Sequence, residues 1–439
     1  MPLASAPPAV GSARHRRRFL AIARLVAQVY GGYKAIQLLG KVIGTDRVRW
    51  MYHRQHRSAA ELAYRTAAQL QGLLIKACQF LGTRADILPQ EYIDILSQLQ
   101  DRVPPRPYTE IAALVEEQLQ CPLREVFLHF DPRPLAAASL AQVHRARLHD
   151  GREVAVKVQY REIAELVEVD VANLRFCARL LARAEPTLDL RMIVGELGKY
   201  VRLELDFEHE ARNAVRIRGN LLHRQDVVVP EIVSELSTRS VLVMEYLPGI
   251  RVTDVEGLAA ARIDKQEVAR LLTEVFCHQI LVDGFFHADP HPGNILVQPG
   301  PRLVLLDFGL AKDFPAAIAQ GVVQLTSAIL AQDRDAIAAA FTALGFRTRN
   351  GNNQSLIALS DMFLGQAVRS GKAYADRDLI ERFSEELPRM LRENPVVEAP
   401  TDLLLVVRVL GLLSGIGKQL DSHVDPLSVI LPFLTQSPT

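Results

Sequence analysis

Residues 286–294 read Phe-His-Ala-Asp-Pro-His-Pro-Gly-Asn, and residues 303–309 read Leu-Val-Leu-Leu-Asp-Phe-Gly. The first stretch follows a predicted helix and places Asn294 five residues after Asp289. The second is a short apolar strand with Asp307 at its end. Carboxylate and amide oxygens suit Mg²⁺ better than imidazole or thiolate groups do, so we expect Asn294 and Asp307 to bind this metal. We expect Asp289 to accept a proton from an attacking hydroxyl group or water.

An earlier strand carries a lysine that belongs to the same chemistry. In Val154-Ala155-Val156-Lys157 the side chains alternate between two faces, and the preceding Asp150-Gly151 predicts a two-residue hairpin. A strand lysine, an Asp with an Asn five residues on, and an Asp-Phe-Gly after a strand occur here in the order found in kinases. Phosphoryl transfer needs metal ions and a cation in fixed positions, so we expect Lys157 to bind the α- and β-phosphates of ATP.

Two histidines in the first stretch raise the alternative of a zinc site. His287 and His291 are four residues apart, but Pro290 and Pro292 disfavour a helix there and no third ligand is evident. We therefore expect His287 to pack and to form hydrogen bonds that support the loop.

The chain departs from ordinary protein kinases in its phosphate loop and in its peptide platform. No Gly-x-Gly-x-x-Gly precedes Lys157, and the first hairpin instead carries Ala136, Ala137, Ala138 and Ser139. Alanine restricts how closely backbone can approach phosphate. Ala288 replaces the arginine of His-Arg-Asp, and no Ala-Pro-Glu follows Asp307. These departures disfavour phosphorylation of an extended peptide, whereas a small-molecule kinase of the aminoglycoside or choline type remains an alternative.

An acidic run, Glu204-Leu205-Asp206-Phe207-Glu208-His209-Glu210, is predicted to be helical. Residues four apart share a helix face, so the run divides its carboxylates between two faces. One face could point at Lys157, and the other could meet the N-terminal helices. In those helices Lys76 and Gln79 are three residues apart and share a face.

This ordered set of motifs resembles the UbiB/AarF family of atypical kinases, related to the coenzyme Q-supporting kinases of mitochondria and plastids. The resemblance covers residues 64 to 433. It implies an α+β, two-lobed protein-kinase-like fold with an N-terminal helical extension packed across the active site. In the family that extension carries a Lys-x-Gly-Gln motif that meets a Glu-x-Asp motif. Here Lys76-Ala77-Cys78-Gln79 has Cys78 in place of the glycine.

The resemblance also implies a role for each matching residue. Glu210 orients Lys157, and the backbone near Glu245 and Tyr246 contacts adenine as a hinge. Nucleotide, ATP or ADP, lies between the lobes and is bound by the alanine-rich loop, residues 136–139. A regulatory role goes to Lys76, Gln79, Glu204 and Asp206.

Composition and charge bound the remaining possibilities. The chain has 439 residues, of which 49% are hydrophobic, and a net charge of +1, which fits a globular protein and disfavours nucleic-acid binding by bulk charge. Four cysteines without CxxC spacing are expected to be reduced. We predict a disordered basic tail at residues 1–18, a helical extension at 19–122, a kinase-like N-lobe at 123–248 and a C-lobe at 249–439.

The N-terminal region is basic and lacks acidic residues before Asp46, with lysine or arginine at positions 14, 16, 17, 18, 24, 34 and 41. A solvated tail leading into a helix, a basic helix on an anionic membrane, and an organelle transit peptide all fit this pattern. No apolar run is long enough to span a bilayer. We expect a cytoplasmic, peripherally membrane-associated bacterial protein, with a mitochondrial or plastid location as the alternative.

Taken together, the motifs and the resemblance predict an atypical Mg²⁺-dependent kinase or ATPase linked to ubiquinone biosynthesis or membrane lipid homeostasis. The expected partners are ATP, a membrane lipid or isoprenoid quinone precursor, and a quinone-biosynthesis protein complex. A nucleotide-gated, pseudokinase-like regulator of a lipid-handling complex is the first alternative.

Overall fold

The computed structural model describes residues 13–82, 88–96, 98–99, 104–185, 190–348, 356–357, 396–398, 401–424, 428–429 and 432–433. The chain divides into two compact units. The first comprises residues 1–209 and 233–246, and the second comprises residues 210–232 and 247–439. Helices dominate, and the strands are mostly antiparallel, as an α+β fold requires.

The described helices, in chain order, are α1 (Ala13–Ile43), α2 (Arg49–Leu70), α3 (Leu73–Gly82), α4 (Gln90–Leu96), α5 (Tyr108–Leu119), α6 (Leu123–Val126), α7 (Ile163–Ala184), α8 (Arg191–Glu204), α9 (Phe207–Leu221), α10 (Val255–Ala260), α11 (Lys265–Leu281), α12 (Ala316–Leu330), α13 (Arg334–Ala343) and α14 (Thr401–Gln419). The strands are β1 (Phe127–Ala137), β2 (Ala141–Leu148), β3 (Glu153–Gln159), β4 (Val227–Val228), β5 (Val241–Glu245), β6 (Ile250–Arg251), β7 (Phe285–Phe286), β8 (Ile295–Gln298), β9 (Arg302–Leu305), β10 (Lys312–Asp313), β11 (Arg347–Thr348) and β12 (Val396–Glu398).

The first unit contains an antiparallel sheet in the order β1-β2-β3-β5. The predicted hairpin joins β2 to β3, and Gly151 adopts φ +91°, a conformation that favours glycine. Val154, Val156 and Val158 alternate into the core, where they pack with residues of α7 such as Val167. This alternation turns Lys157 to the opposite face, so the predicted strand and its lysine are confirmed in position.

Helix α1 begins at Ala13, inside the stretch expected to be a disordered tail, and is tied to α7. The guanidinium group of Arg18 donates through Nε to Asp170 Oδ1 at 2.9 Å and through Nη1 to the Leu70 carbonyl at 2.5 Å. Asp170 is fully buried, and burial raises the pKa of its carboxyl group while Arg18 opposes that shift. At least one arginine of the basic region, Arg18, is therefore buried and paired within the fold.

The prediction of one helix through residues 204–210 is wrong. Helix α8 ends at Glu204 and α9 begins at Phe207. The Asp206 carboxylate accepts a hydrogen bond from the backbone N–H of His209 at 2.9 Å, so this acid caps a new helix. Glu204 and Glu210 therefore lie on different helices, α8 and α9, because Asp206 caps the second helix and does not continue the first.

The second unit is mainly helical around a four-stranded sheet in the order β4-β9-β8-β6. Its core combines the apolar face of α11 with residues of β8, β9 and α14. Strand β10, which follows the Asp-Phe-Gly segment, pairs with β7, which precedes the His-Ala-Asp loop. The two-stranded ribbon thus adjoins both motif segments, since β7 leads into the His-Ala-Asp loop and the Asp-Phe-Gly segment leads into β10. Among the described residues, no helix is both long and apolar enough to cross a membrane.

Candidate active site

The loop after β7 is organised around His287, which is buried. Its backbone N–H donates to Gln279 Oε1 at 3.0 Å. Its ring Nδ1 accepts from the Asp289 N–H at 3.3 Å, so Nε2 carries the proton and donates to the Leu306 carbonyl at 3.0 Å. Both ring nitrogens are used within the protein, which confirms the expected supporting role and excludes His287 as a zinc ligand in this arrangement.

The second histidine of the suspected zinc pair also has a local role. His291 Nδ1 accepts a hydrogen bond from the Gly293 N–H at 3.1 Å and caps a short turn. Within the described part of the chain, no three His, Cys, Asp or Glu side chains are grouped to hold a metal ion. This is compatible with Mg²⁺, which is commonly bound by one or two protein groups together with phosphate and water.

Asp289 and Asn294 are fixed to one another and to the strand that follows. Asn294 Nδ2 donates to the Asp289 carbonyl at 3.2 Å, and the Leu306 N–H donates to the Asn294 carbonyl at 2.8 Å. Leu306 directly precedes Asp307, so one backbone hydrogen bond links Asn294 to the residue next to the second predicted metal ligand. These two bonds connect the loop that carries Asp289 and Asn294 to the residue that precedes Asp307.

Asp307 has an unusual backbone conformation, with φ +61°. This left-handed region disfavours most L-residues by roughly 1–2 kcal/mol, although Asp and Asn tolerate it comparatively well. The Gly309 N–H lies 3.4 Å from Asp307 Oδ1, and Phe308 is buried edge-to-face against His287 with ring centroids 5.4 Å apart. Conformations of this kind concentrate at functional sites, where the surrounding contacts hold them in place.

The sequence did not identify Asn213, which connects α9 to the Asp-Phe-Gly segment. Its buried Nδ2 donates to the Phe308 carbonyl at 2.9 Å. Glu210 lies three residues earlier on α9, on the same side of the helix, and is also buried. The helix that carries the predicted glutamate thus contacts the segment that carries the predicted metal ligand, within the second unit.

In the first unit, Lys157 lies in the centre of the sheet, opposite Val143 of β2 and Leu242 of β5. Its ammonium group is 5.0 Å from the centre of the Phe207 ring. Phe207 is almost completely buried, so this cation–π contact limits where the lysine can point. The acidic run concealed this role, because Phe207 looked like an apolar spacer between carboxylates.

Of the four residues in the alanine-rich segment, Ala136 and Ala137 end β1 and pair with β2, and Ala138 and Ser139 lie in the turn between the two strands. The turn is closed by a hydrogen bond from the Ala138 N–H to the Ala141 carbonyl at 2.8 Å. Ala136 is exposed, Ala137 and Ala138 are half-buried, and Ser139 is buried. Beside the loop, Gln142 Oε1 accepts from the Arg106 N–H at 2.9 Å, and Gln142 Nε2 lies 2.9 Å from His144 Nε2. Two buried polar side chains thus anchor the strand that follows the loop.

Burial lowers the pKa of His144, although the Asp131 carbonyl, 2.8 Å from Nδ1, opposes the shift. Below about pH 6.5 the unfolded chain binds a proton that the native histidine resists, so the free energy of unfolding is expected to fall as the pH drops. His144→Asn keeps a donor for the Asp131 carbonyl and removes this titration. Thermal unfolding at pH 7.5, 6.5 and 5.5 should show a smaller loss for the variant. Equal losses would exclude His144 as the source.

The predicted hinge residues end the sheet. The Tyr246 N–H donates to the Glu153 carbonyl at 2.9 Å, and the Arg145 guanidinium lies 4.6 Å from the centre of the Tyr246 ring. Glu245 is the exposed last residue of β5. The amide N–H of Tyr246 is therefore used within the first unit, and the adenine contact predicted for this strand end would need other backbone groups.

The expected contact between the helical extension and the acidic run is present. Lys76 Nζ lies 3.3 Å from Glu204 Oε2, and both side chains are mostly buried. Gln79 lies on the same helix, α3, but its side chain is outside the described part of the structure. Cys78 is buried in an apolar cluster, and burial raises the pKa of its thiol to about 12. The bulkier residue at the family's glycine position is thus accommodated within the core.

Comparison with known proteins gives this arrangement a family. The family described as "ABC1 atypical kinase-like domain" matches residues 98–341. The chain belongs to this family. The ABC1 assignment confirms the resemblance to the UbiB/AarF kinases that the motifs indicated.

Named relatives of this ABC1 chain occur in plants and animals. ACTIVITY OF BC1 COMPLEX KINASE 8, chloroplastic, of Arabidopsis thaliana is 33% identical over 392 residues, which cover 82% of this chain and 51% of the relative. AarF domain-containing protein kinase 1 of Xenopus tropicalis is 31% identical over 405 residues, covering 88% and 75%. The chain thus spans about half the length of the plant relative.

A solved structure supports the fold of the ABC1 chain. Rv3197 of Mycobacterium tuberculosis, determined in complex with erythromycin, superposes with a TM-score of 0.66 and 24% identity. The match covers 89% of this chain and all of the other. At this identity the likeness establishes a common fold, consistent with the protein-kinase-like architecture expected from the sequence.

Proposed function

We propose that this ABC1-family chain is an atypical Mg²⁺-dependent kinase or ATPase. The observation that carries the proposal is the fixed arrangement of Asp289, Asn294 and Asp307, joined through the Asn294 carbonyl and the Leu306 N–H. Hard oxygen donors beside a candidate base are what transfer of a phosphoryl group to a hydroxyl group or water requires.

Each unit contributes its own part of this chemistry. In the second unit, Asn294 and Asp307 would hold Mg²⁺, which neutralises charge on the transferred phosphoryl group, and Asp289 would accept the proton of the nucleophile. In the first, Lys157 and the loop at residues 136–139 would bind phosphate, and the end of β5 would contact adenine. Glu210 would have a supporting role, the orientation of Lys157. The boundaries of the lobes and of the helical extension predicted from the sequence also remain part of this proposal.

The structure of the segment after Asp-Phe-Gly favours a substrate other than an extended peptide. From Gly309 the chain passes directly into β10, where Lys312 pairs with Phe286, and then into α12 at Ala316. This leaves no long segment to serve as a peptide platform. The short segment therefore disfavours a peptide substrate. The family resemblance supports a membrane lipid or isoprenoid quinone precursor as ligand, a quinone-biosynthesis complex as partner, and peripheral membrane association. A plastid location is the alternative suggested by the chloroplastic relatives.

A second candidate is a nucleotide-gated regulator of a lipid-handling complex. The mostly buried Lys76–Glu204 pair favours it, because this pair ties the helical extension to the acidic run and would respond to conformational change there. In this alternative the protein binds nucleotide and captures a partner without turnover.

ATP hydrolysis by the purified chain, with and without Mg²⁺ and vesicles, separates these candidates when Asp289→Asn is measured in parallel. An enzyme should lose about 10²- to 10⁴-fold in kcat on removal of the base while still binding MgATP. Asp254→Asn, at an exposed helix cap of the same unit, is the matched control and should retain wild-type turnover. Mg²⁺-dependent nucleotide binding without turnover in the wild-type chain would instead establish the regulator.

A further inference from the structure

Asn213 is a buried polar side chain in the second turn of α9. The next residue, Ala214, and Ile217 one turn farther on are fully buried in the core cluster that also contains Phe308. Burying an amide beside apolar side chains is costly unless the amide forms hydrogen bonds. The group that Asn213 binds therefore indicates what the amide does at this position.

The side chain of Asn213 binds the backbone of the Asp-Phe-Gly segment. Its Nδ2 donates to the Phe308 carbonyl at 2.9 Å. The same carbonyl accepts a second hydrogen bond from the Ala311 N–H at 3.1 Å, which closes a tight turn. A carbonyl oxygen can accept two hydrogen bonds, so the turn provides one donor and α9 provides the other.

The Phe308 carbonyl and the Gly309 N–H belong to one planar peptide unit. The Gly309 nitrogen lies 3.4 Å from Asp307 Oδ1, so the N–H end of this unit faces the carboxylate. Rotation of a peptide plane moves its carbonyl and its N–H together. A hydrogen bond from Asn213 to the carbonyl end therefore also restrains the N–H end, beside the predicted metal ligand.

Asp307 needs such a restraint because of its backbone conformation. Its φ of +61° lies in the left-handed region, which surrounding contacts must maintain in an L-residue. On the N-terminal side, the Leu306 N–H is bound to the Asn294 carbonyl. On the C-terminal side, the peptide after Phe308 is bound by the turn and by Asn213. The left-handed residue thus lies between two restrained peptide units.

We propose that Asn213 is a positioning residue for Asp307 and holds the Phe308–Gly309 peptide in the orientation that lets the Asp307 carboxylate bind Mg²⁺. If this peptide rotated, its carbonyl oxygen would turn toward the carboxylate, and the two oxygens would repel each other. The inference deepens the proposed function and rests on it, because it takes Asp307 as a ligand of the metal.

Helix α9 has contacts that do not depend on the amide. Arg216, three residues after Asn213, lies over Phe285 of β7 with its guanidinium carbon 3.8 Å from the ring centre. Ala214 and Ile217 pack in the core on the same helix. Loss of the amide should therefore leave α9 in place and release only the peptide that the amide binds.

Two variants without the amide test the proposal, because they change the side-chain volume in opposite directions. Asn213→Ala is smaller and Asn213→Leu is larger, and neither can donate to the Phe308 carbonyl. Binding of Mn²⁺, measured by electron paramagnetic resonance with adenylyl imidodiphosphate present, should weaken about tenfold in both. The Mg²⁺ concentration that gives half-maximal ATP turnover should rise by a similar factor. A folded variant of either kind that binds Mn²⁺ as wild type does would overturn the proposal.

Thr326→Val is the matched control for loss of a buried hydrogen bond in the same unit. The Thr326 hydroxyl donates to the Val322 carbonyl at 2.8 Å within α12. This variant and Asn213→Ala should both lower the midpoint of thermal unfolding by a few degrees. Only Asn213→Ala should weaken Mn²⁺ binding. Equal weakening in the two variants would mean that general loosening of the unit is responsible, and the proposal would be wrong.

Metal binding and turnover are measured separately so that the two proposals can fail separately. Mg²⁺-dependent turnover in the wild-type chain, with the same Mg²⁺ dependence in Asn213→Ala, overturns this inference alone. Mn²⁺ binding that weakens in Asn213→Ala and in Asp307→Asn, in a chain without turnover, overturns only the proposed enzyme. Mn²⁺ binding that is unchanged in Asp307→Asn overturns the metal site on which both proposals rest.

Discussion

Asp307→Asn should lower the Mg²⁺-dependent kcat for ATP by at least about a hundredfold, because a neutral amide replaces the carboxylate that we propose as a ligand of the metal. Asparagine tolerates the left-handed conformation at this position, so the fold should be retained. ATP hydrolysis and nucleotide binding, each titrated with Mg²⁺, measure the effect. Binding of MgATP should weaken toward that of metal-free ATP.

Asp313→Asn is the matched control for this variant. Asp313 is exposed on β10, soon after Asp307 in the chain, and its partner Arg216 is 2.7 Å away at the surface. Loss of such an exposed pair changes stability by about 1 kcal/mol or less, and turnover should remain at the wild-type level. Wild-type turnover by Asp307→Asn, with Asp313→Asn also active, would show that the metal site has been assigned to the wrong residue.

Arg18→Met should destabilise the first unit by about 3–5 kcal/mol, because it leaves the carboxylate of Asp170 buried without its cation. Arg18 also donates to the Leu70 carbonyl at the end of α2, so two helices lose a common partner. The native pKa of Asp170 is already raised and should rise further in the variant. The deficit relative to wild type should therefore shrink as the pH is lowered from 7, because the carboxyl group of the native variant takes up a proton before that of the native wild type. Thermal and urea unfolding measure it.

Two companion variants isolate the buried charge. Arg14, on the same helix as Arg18, forms an exposed ion pair with Glu162 at the start of α7, and Arg14→Met should cost about 1 kcal/mol or less. Arg18→Met combined with Asp170→Leu removes both buried charges and should recover most of the lost stability. Similar losses for Arg14→Met and Arg18→Met would contradict the burial that the structure gives to the second pair.

Local chemistry made several elements predictable. Asp150-Gly151 permits few conformations other than a tight turn, and alternating valines around Lys157 define which face of β3 is buried. The position of the Asp-Phe-Gly segment was likewise predictable, because the apolar run that forms β9 stops just before Asp307. In each case the information lies within about ten residues of chain.

Other features depend on partners far along the chain and had no local signal. Asp206 looked like one more helical acid, yet it caps α9, and Arg18 looked like a solvated charge although Asp170 is 152 residues away. Asn213 is likewise a single polar residue in a helix, and its partner Phe308 is 95 residues away in the chain. From the sequence, polar side chains of this kind are expected at the surface. Only the structure shows that they are buried and form hydrogen bonds inside the fold.

The burial of Cys78 has a practical consequence for work in solution. Burial raises the pKa of its thiol to about 12, so little of the reactive thiolate forms at neutral pH, and the side chain lies in an apolar cluster. Cys121 is partly accessible by comparison. The rate of alkylation at Cys78 should therefore report how often the surrounding helices open, so the residue that replaces the family's glycine gives a measure of local unfolding.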